Sequence, residues 1–498
     1  MRALILVALL LAPGPLAAAE RWSVGNTTSG SPIDAIVVAG APATPTVLLV
    51  GGLNGNDQSV DMVTREVASF EAQPQARRRF RLLAIPAANP EGRPLRFPAE
   101  GAAYREQVES NVIWRWIGTH APDLVLILGP DAGLAAALSQ NMVADVGRIP
   151  ARRVDGTTIL LGLTEPIAPS PARLELERRS LRTPGALATE LARIYGHDFM
   201  RPNYIAAMAI ISRLRLGEQA EVAALVAPFL EGSVDSFDRP SQSALAAHML
   251  FFELARRTGN ERAKKLVVRA ASSGFTESGE LREFMPLHGG WSDSFFMDVP
   301  ILAKAGALTG DRRFFDMAAR HVAFMQRIVL RPDGLYRHQA SAEAAWGRGN
   351  AFAGLGLALT LADFPADHPA YAGLLASFRQ HMGALARFQD ENGMWRNVID
   401  RRGAYDEYSA TAMIATAMLR GIRRGWLDAA TYQPLVDRAW RAILQRTGAD
   451  GRLVDVAEST GTRGMSDDDY LHRLAILGRD DRGGGMAMFF ATELAGAD

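Results

Sequence analysis

Two kinds of apolar spacing divide the chain. Up to about residue 198, short apolar runs bounded by Gly or Pro alternate with stretches of helical period. PTVLLVGG, FRLLAIPAANP, PDLVLILGP and TTILLGLT read as buried strands, whereas VDMVTREVASFEA and YREQVESNVIWRWIGTH space their apolar residues near 3.6. Buried strands separated by amphipathic helices predict a mostly parallel sheet with helices on its faces, an α/β domain over residues 20–198.

From residue 199 to 498 the strand runs stop and helical patterns follow one another, among them YIAAMAIISRLRLG, ALAAHMLFFELARRTGN, AFAGLGLALTLADF and GGMAMFFATELA. Their ends carry TGN, TGD or RRG, where Gly accepts the left-handed conformation that stops a helix. About twelve helices of about 25 residues each, loops included, suit helical hairpins. Six hairpins closing on themselves predict an all-α ring, an (α/α)6 barrel, with an open solenoid as the competing arrangement. A closed ring would gather polar and aromatic residues at the starts of its inner helices around a concave mouth.

Charge and composition narrow the partners. The 498 residues carry 54 basic and 54 acidic side chains, so no long-range field gathers nucleic acid or anionic lipid, and small or uncharged partners are favoured. The opening MRALILVALLLAPGPLAAAE has the layout of a secretory signal peptide over residues 1–19, with a run too short to span a bilayer. Export to the periplasm or medium, and no membrane contact after cleavage, are therefore expected. Absence of cysteine removes disulfides, thiol catalysis and cysteine-ligated zinc.

Three clusters could carry chemistry. In His288-Gly-Gly-Trp291-Ser-Asp293-Ser-Phe-Phe, an aspartate beside Trp291, Phe295 and Phe296 would lose hydration and keep its proton, as a general acid requires. The same aspartate, just ahead of an apolar helix, also suits a helix cap. Asp238, at another helix entrance, offers a second carboxylate or a second cap. In YRHQASAEAAWGRGN, the glycines would let backbone approach a ligand, Trp346 offers a stacking face and Arg348 a fork of donors for a carboxylate.

The ordered segments WSDSFFMDVPILAKAGALTGD, DGLYRH, AWGRGN, QDENGMWRNVID, EYSATAM and RGGGMAMFFATEL resemble the unsaturated glucuronyl and rhamnogalacturonyl hydrolases, glycoside hydrolase families 88 and 105, more closely the latter. That resemblance, over roughly residues 200–497, implies a six-hairpin barrel that removes a 4,5-unsaturated uronic acid from the non-reducing end of lyase-made oligosaccharides, without metal or organic cofactor. It implies Asp293 as general acid and base, Asp238 as its assistant, and His338, Trp346 and Arg348 in the substrate pocket with Trp291 and His288. Phe352 departs from the tryptophan usual just after WGRGN, and Glu407 and Ser409 match a recurrent segment that capping explains equally well. A barrel enzyme acting on saturated glycosides and a non-catalytic carbohydrate binder are the alternatives. Upstream, VLLVGGLNGNDQS and IPAANPEGR resemble the zinc carboxypeptidases. Asn54 and Asp57 stand where the ligand histidine and glutamate would be, and Gly129-Pro130-Asp131 stands where the remaining histidine is expected, so zinc hydrolysis is not expected.

Overall fold

The computed structural model describes residues 19–460 and 465–496; the expected signal segment, up to Ala18, lies outside the described residues. Two compact units are present. One comprises residues up to Ala99, Ile113–Val143 and Gly147–Leu174; the other comprises Glu100–Val112, Ala144–Val146 and the chain from Glu175.

The first unit holds a six-stranded sheet made of β1 (Glu20–Asn26), β2 (Pro32–Val38), β3 (Thr46–Val50), β4 (Arg81–Ile85), β5 (Leu124–Leu128) and β6 (Ala151–Val154), in the order β1-β2-β4-β3-β5-β6. β4, β3, β5 and β6 run parallel, while β1 and β2 add an antiparallel edge. The continuous apolar runs of β3, β4 and β5 are buried, which is why they lack alternation. TTILLGLT is not a strand. It forms one helical turn, Ile159–Gly162, with Leu160 buried, Leu161 45% exposed and the Leu160 N–H donated to Glu66 Oε2 at 2.9 Å. An apolar run this short fits either structure, and the strand it was taken for lies earlier, at the half-polar ARRV. Asp57 accepts from the Ser59 N–H as the N-cap of the helix Gln58–Glu71.

In the second unit six inner helical segments close a ring: Tyr204–Arg215, Gln242–Thr258, Ser294–Thr309, Gly347–Asp363, Tyr408–Arg423 and Asp481–Leu494, each packed on the next and the last on the first. Two of these segments are interrupted, at His248 and at Asp298. Closure rules out the open solenoid. Outside lie Gln219–Glu231, Glu261–Ala271, Arg313–Val329, Tyr371–Ala386, Ala429–Gln445 and, against the last inner helix, Pro184–Ala192. The expected boundary at residue 198 therefore cuts off the sixth outer helix; the helical unit takes in the chain from Glu175. Inner helices such as Gly347–Asp363 are buried on nearly every side, whereas Arg313–Val329 buries one stripe, the difference between a helix surrounded by protein and one facing water. A two-stranded hairpin, β7 (Leu453–Ala457) and β8 (Ala475–Gly478), precedes the last inner helix.

Ion pairs of buried carboxylates join three inner helices near their C-terminal ends and reinforce a fourth. Glu493 accepts from Arg215 at 2.9 Å and from Arg420; Glu253 accepts from Arg257 at 2.6 Å and from Arg256 at 2.9 Å. Burial opposes ionisation of Glu493, but Arg420 and Arg215 outweigh it and hold the carboxyl at about 2. Arg215, Arg256 and Arg257 likewise outweigh burial at Glu253, again giving about 2. Both values are depressed by folding, so the stability they contribute is complete above the unfolded value of 4.5 and is lost as pH falls toward 2. Acid titration followed by circular dichroism is expected to unfold the ring inside that window; a ring still intact at pH 2 would contradict it.

Candidate active site

The starts of four inner helical segments, at Tyr204, Gln242, Ser294 and Gly347, surround a cavity of about 500 Å³. Tyr204, Gln242, Ser243, Trp291, Asp293, Trp346, Arg348 and Phe352 line it, and Ser459 and Thr460, just beyond β7, complete the wall. Asp293 is the one carboxylate among these lining residues.

Asp293 stands at the head of the turn Ser294–Met297, yet its side chain makes no capping hydrogen bond. The carboxylate turns instead to His338, whose Nε2 lies 3.1 Å from Asp293 Oδ2. His338 is 1% exposed, and its Nδ1 lies 2.7 Å from the Tyr470 hydroxyl. An ionised Asp293 carboxylate can only accept, so Nδ1 is the acceptor side of the ring and takes the Tyr470 hydroxyl as donor, a phenol whose pKa burial raises. Nε2 then carries the ring proton and donates to Asp293. The Trp291 ring lies nearly parallel to the His338 imidazole, centroids 5.9 Å apart, and Trp346 meets the imidazole edge-on at 4.6 Å. Asp293 is thus held by a buried chain while its side chain remains 17% exposed to the cavity.

The glycines of AWGRGN serve packing within the chain. A Cβ at Gly347 would collide with the Arg396 carbonyl, one at Gly349 with Ser292 Oγ, and one at Gly356, further along the helix, with the Phe295 carbonyl. These close approaches press the segment carrying Asp293 onto the helix Gly347–Asp363. Trp346 is 2% exposed, with its indole N–H given to Asn397 Oδ1 at 3.2 Å, so the more open aromatic face is that of the half-buried Trp291. Arg348 is also largely committed. Nε donates to Ser409 Oγ at 2.9 Å, Nη2 donates to the Ala457 carbonyl, and Glu407 lies 3.5 Å away, leaving Nη1 for a ligand.

Two expected residues lie elsewhere. Asp238 is exposed in the loop before Gln242–Ala247 and does not line the cavity, because Ser241 takes the cap, accepting from Ala244 at 3.1 Å. The carboxylate expected from this helix entrance is replaced at the cavity by Gln242 and Ser243. His288 turns its ring toward Phe284, Phe324 and His321, and burial first, then His321, lowers its pKa. Among residues the sequence reading passed over, Tyr204 presses its ring edge-on against Phe352 at 5.4 Å, and burial, with Asp293 adding to it, raises its phenol to about 12. Its place at the start of an inner helix was the available signal. Among the described residues no three His, Asp or Glu side chains gather as a metal-holding group.

A closed ring of six helical hairpins with an aromatic-walled cavity at its helix starts defines the six-hairpin glycosidase fold. Residues 225–497 match Glycosyl Hydrolase Family 88, and the chain belongs to that family. Over 212 residues it is 27% identical to the unsaturated rhamnogalacturonyl hydrolase YesR of Bacillus subtilis, covering 41% of this chain and 59% of that protein. Over 181 residues it is 25% identical to the unsaturated 3S-rhamnoglycuronyl hydrolase of Formosa agariphila, covering 33% and 48%. The chain thus spans about half the length of the curated relatives it matches. A family 105 glycoside hydrolase of Clostridium acetobutylicum shares the fold at TM-score 0.53 and 18% identity, over 63% of this chain and all of that one. So does a possible family 105 member from Salmonella enterica, at TM-score 0.51 and 20% identity, over 69% and 98%.

Proposed function

We propose that the protein is an exported hydrolase that removes a 4,5-unsaturated uronic acid from the non-reducing end of lyase-generated oligosaccharides. The observation that carries this reading is Asp293, the one carboxylate lining the cavity among the described residues, held by His338 and Tyr470. Ordinary glycoside hydrolysis places two carboxylates across the scissile bond. Hydration of a vinyl ether asks one group to give a proton and take one back.

In its protonated form Asp293 gives its proton to C4 of the C4=C5 double bond, and positive charge develops at C5, shared by the ring oxygen. The carboxylate left behind, still accepting from His338 Nε2, takes a proton from water as the water oxygen bonds to C5. The hemiketal so formed opens and releases the remaining sugar. Arg348 Nη1 meets the uronate carboxylate, and Trp291 offers its face to the ring. The test is the ultraviolet absorbance of the conjugated enol ether, which falls as a lyase product is consumed; saturated disaccharides cleaved instead would overturn the reading.

His338 is oriented by Tyr470, so Tyr470→Phe is expected to lower kcat several-fold to about tenfold, the equivalent of one hydrogen bond, with KM little changed. A KM effect alone would count against the chain of contacts described. For the sheet unit the same proposal is a carboxypeptidase-like domain without zinc chemistry, since Asp57 serves as a helix cap.

A further inference from the structure

A segment from the N-terminal half of the sequence belongs to the helical unit. Glu100–Val112 lies between β4 and β5 in the chain, yet it is part of the same compact unit as the ring. Its contacts are specific. The Tyr104 ring stacks on Tyr405 with centroids 4.4 Å apart and planes 15° from parallel. The Tyr104 hydroxyl donates to Asp455 Oδ2 at 3.1 Å. Its backbone carbonyl lies 3.1 Å from His472 Nδ1, and the Ala103 carbonyl accepts from the Ala475 N–H at 3.4 Å.

Those partners lie in the elements that finish the cavity. Asp455 sits in β7, where the register with β8 slips, and β7 runs on to Ser459 and Thr460 in the cavity wall. His472 follows the short helix Asp467–Leu471 and stands two residues after Tyr470, the donor to His338. The Tyr470 carbonyl accepts from Asn397, which in turn accepts from Trp346. Three side-chain-bearing residues of this junction hold left-handed backbone: Tyr104 at φ +66°, Gln107 at +44° and Asp455 at +64°. Backbone of this kind is strained for a residue with a side chain and persists only where its surroundings over-determine it.

We propose that Tyr104 is a positioning residue for the active site, and that Glu100–Val112 acts as a brace fixing β7 and the Tyr470 helix. Through His472 and Tyr470 it holds His338 against Asp293; through Asp455 it holds the wall at Ser459 and Thr460. Tyr104 is not among the residues that line the cavity. The inference rests on the proposed reaction for its kinetic readout and on His338 itself for an independent one.

The experiment uses the full chain with Tyr104→Ala and Tyr104→Phe. Tyr104→Ala is expected to lower kcat about tenfold and to displace the pH profile of kcat/KM, as loss of an orienting hydrogen bond would. Tyr104→Phe keeps the stack on Tyr405 and is expected to recover most of kcat, with KM raised about threefold through the lost bond to Asp455. Without any substrate, 15N-histidine NMR reads the His338 ring, assigned with His338→Gln. Wild type and Tyr104→Phe should show one fixed tautomer protonated at Nε2, and Tyr104→Ala an averaged ring. If Tyr104→Ala does not fold, Tyr104→Phe still reports through KM, and His472→Gln reports through the His338 signals. Unchanged kinetics and an unchanged His338 spectrum in the variants, with only the melting temperature lowered, would overturn the proposal. A wild-type protein inactive on lyase products, with the His338 ring fixed in wild type and averaged in Tyr104→Ala, would overturn the reaction and leave the brace standing.

Discussion

Replacing Asp293 with asparagine is expected to cut the consumption of an unsaturated oligosaccharide by a factor of about 10²–10⁴, the usual contribution of a general acid and base. The fold should survive. Asp293 makes no cap, and an amide still accepts the His338 N–H. Its nitrogen cannot deliver a proton to carbon and take one from water. Ultraviolet assay with circular dichroism on the same sample separates chemistry from folding. Asp238→Asn is the matching control: an exposed side chain outside the cavity should leave the rate within about twofold. Equal losses in both variants, or none in Asp293→Asn, would remove Asp293 from the reaction.

Glu407→Ala should have the largest effect on stability. Glu407 is fully buried and caps the helix Tyr408–Arg423, accepting from the Ser409 N–H at 3.1 Å and from the Ala410 N–H. It also accepts from the Ala457 N–H at 2.9 Å and stands 3.5 Å from Arg348. Truncation leaves the buried Arg348 without its counter-charge and strands three backbone donors. Breaking a buried pair in this way costs about 3–5 kcal/mol. Urea denaturation would measure it, and Glu407→Gln, which keeps acceptors but not the charge, should lose less. A variant as stable as wild type would mean that the pair does not hold the cavity wall.

The ring was legible because its helices announce themselves: amphipathic or all-apolar stretches of helical period, several of them stopped by a glycine. Strands were legible where apolar runs were enclosed, as in β3 and β5, but not at TTILLGLT, whose short run carries no period and folds as a helical turn. At the cavity, the legible residues were those with telling neighbours in sequence. Trp291, Phe295 and Phe296 mark Asp293, and the glycines mark Arg348, although those glycines turned out to accommodate neighbouring backbone and side chain. Tyr470 gave no such sign, standing 132 residues from the histidine it orients. Asp238 and Ser241 both suit a helix entrance, and only the fold decides which of them takes the cap.

One feature of the ring bears on how the protein is made. Its sixth outer helix, Pro184–Ala192, packs on Asp481–Leu494, so the earliest helix of the toroid to leave the ribosome finds its mate only after every other helix of the ring has been made. Until then its apolar stripe, with Leu187, Ala188 and Leu191, has no final shelter. Pairing across such a separation is entropically slow and keeps a nascent chain open to aggregation. Chaperone dependence during synthesis, and insolubility of recombinant fragments begun at residue 199, follow directly from that wiring.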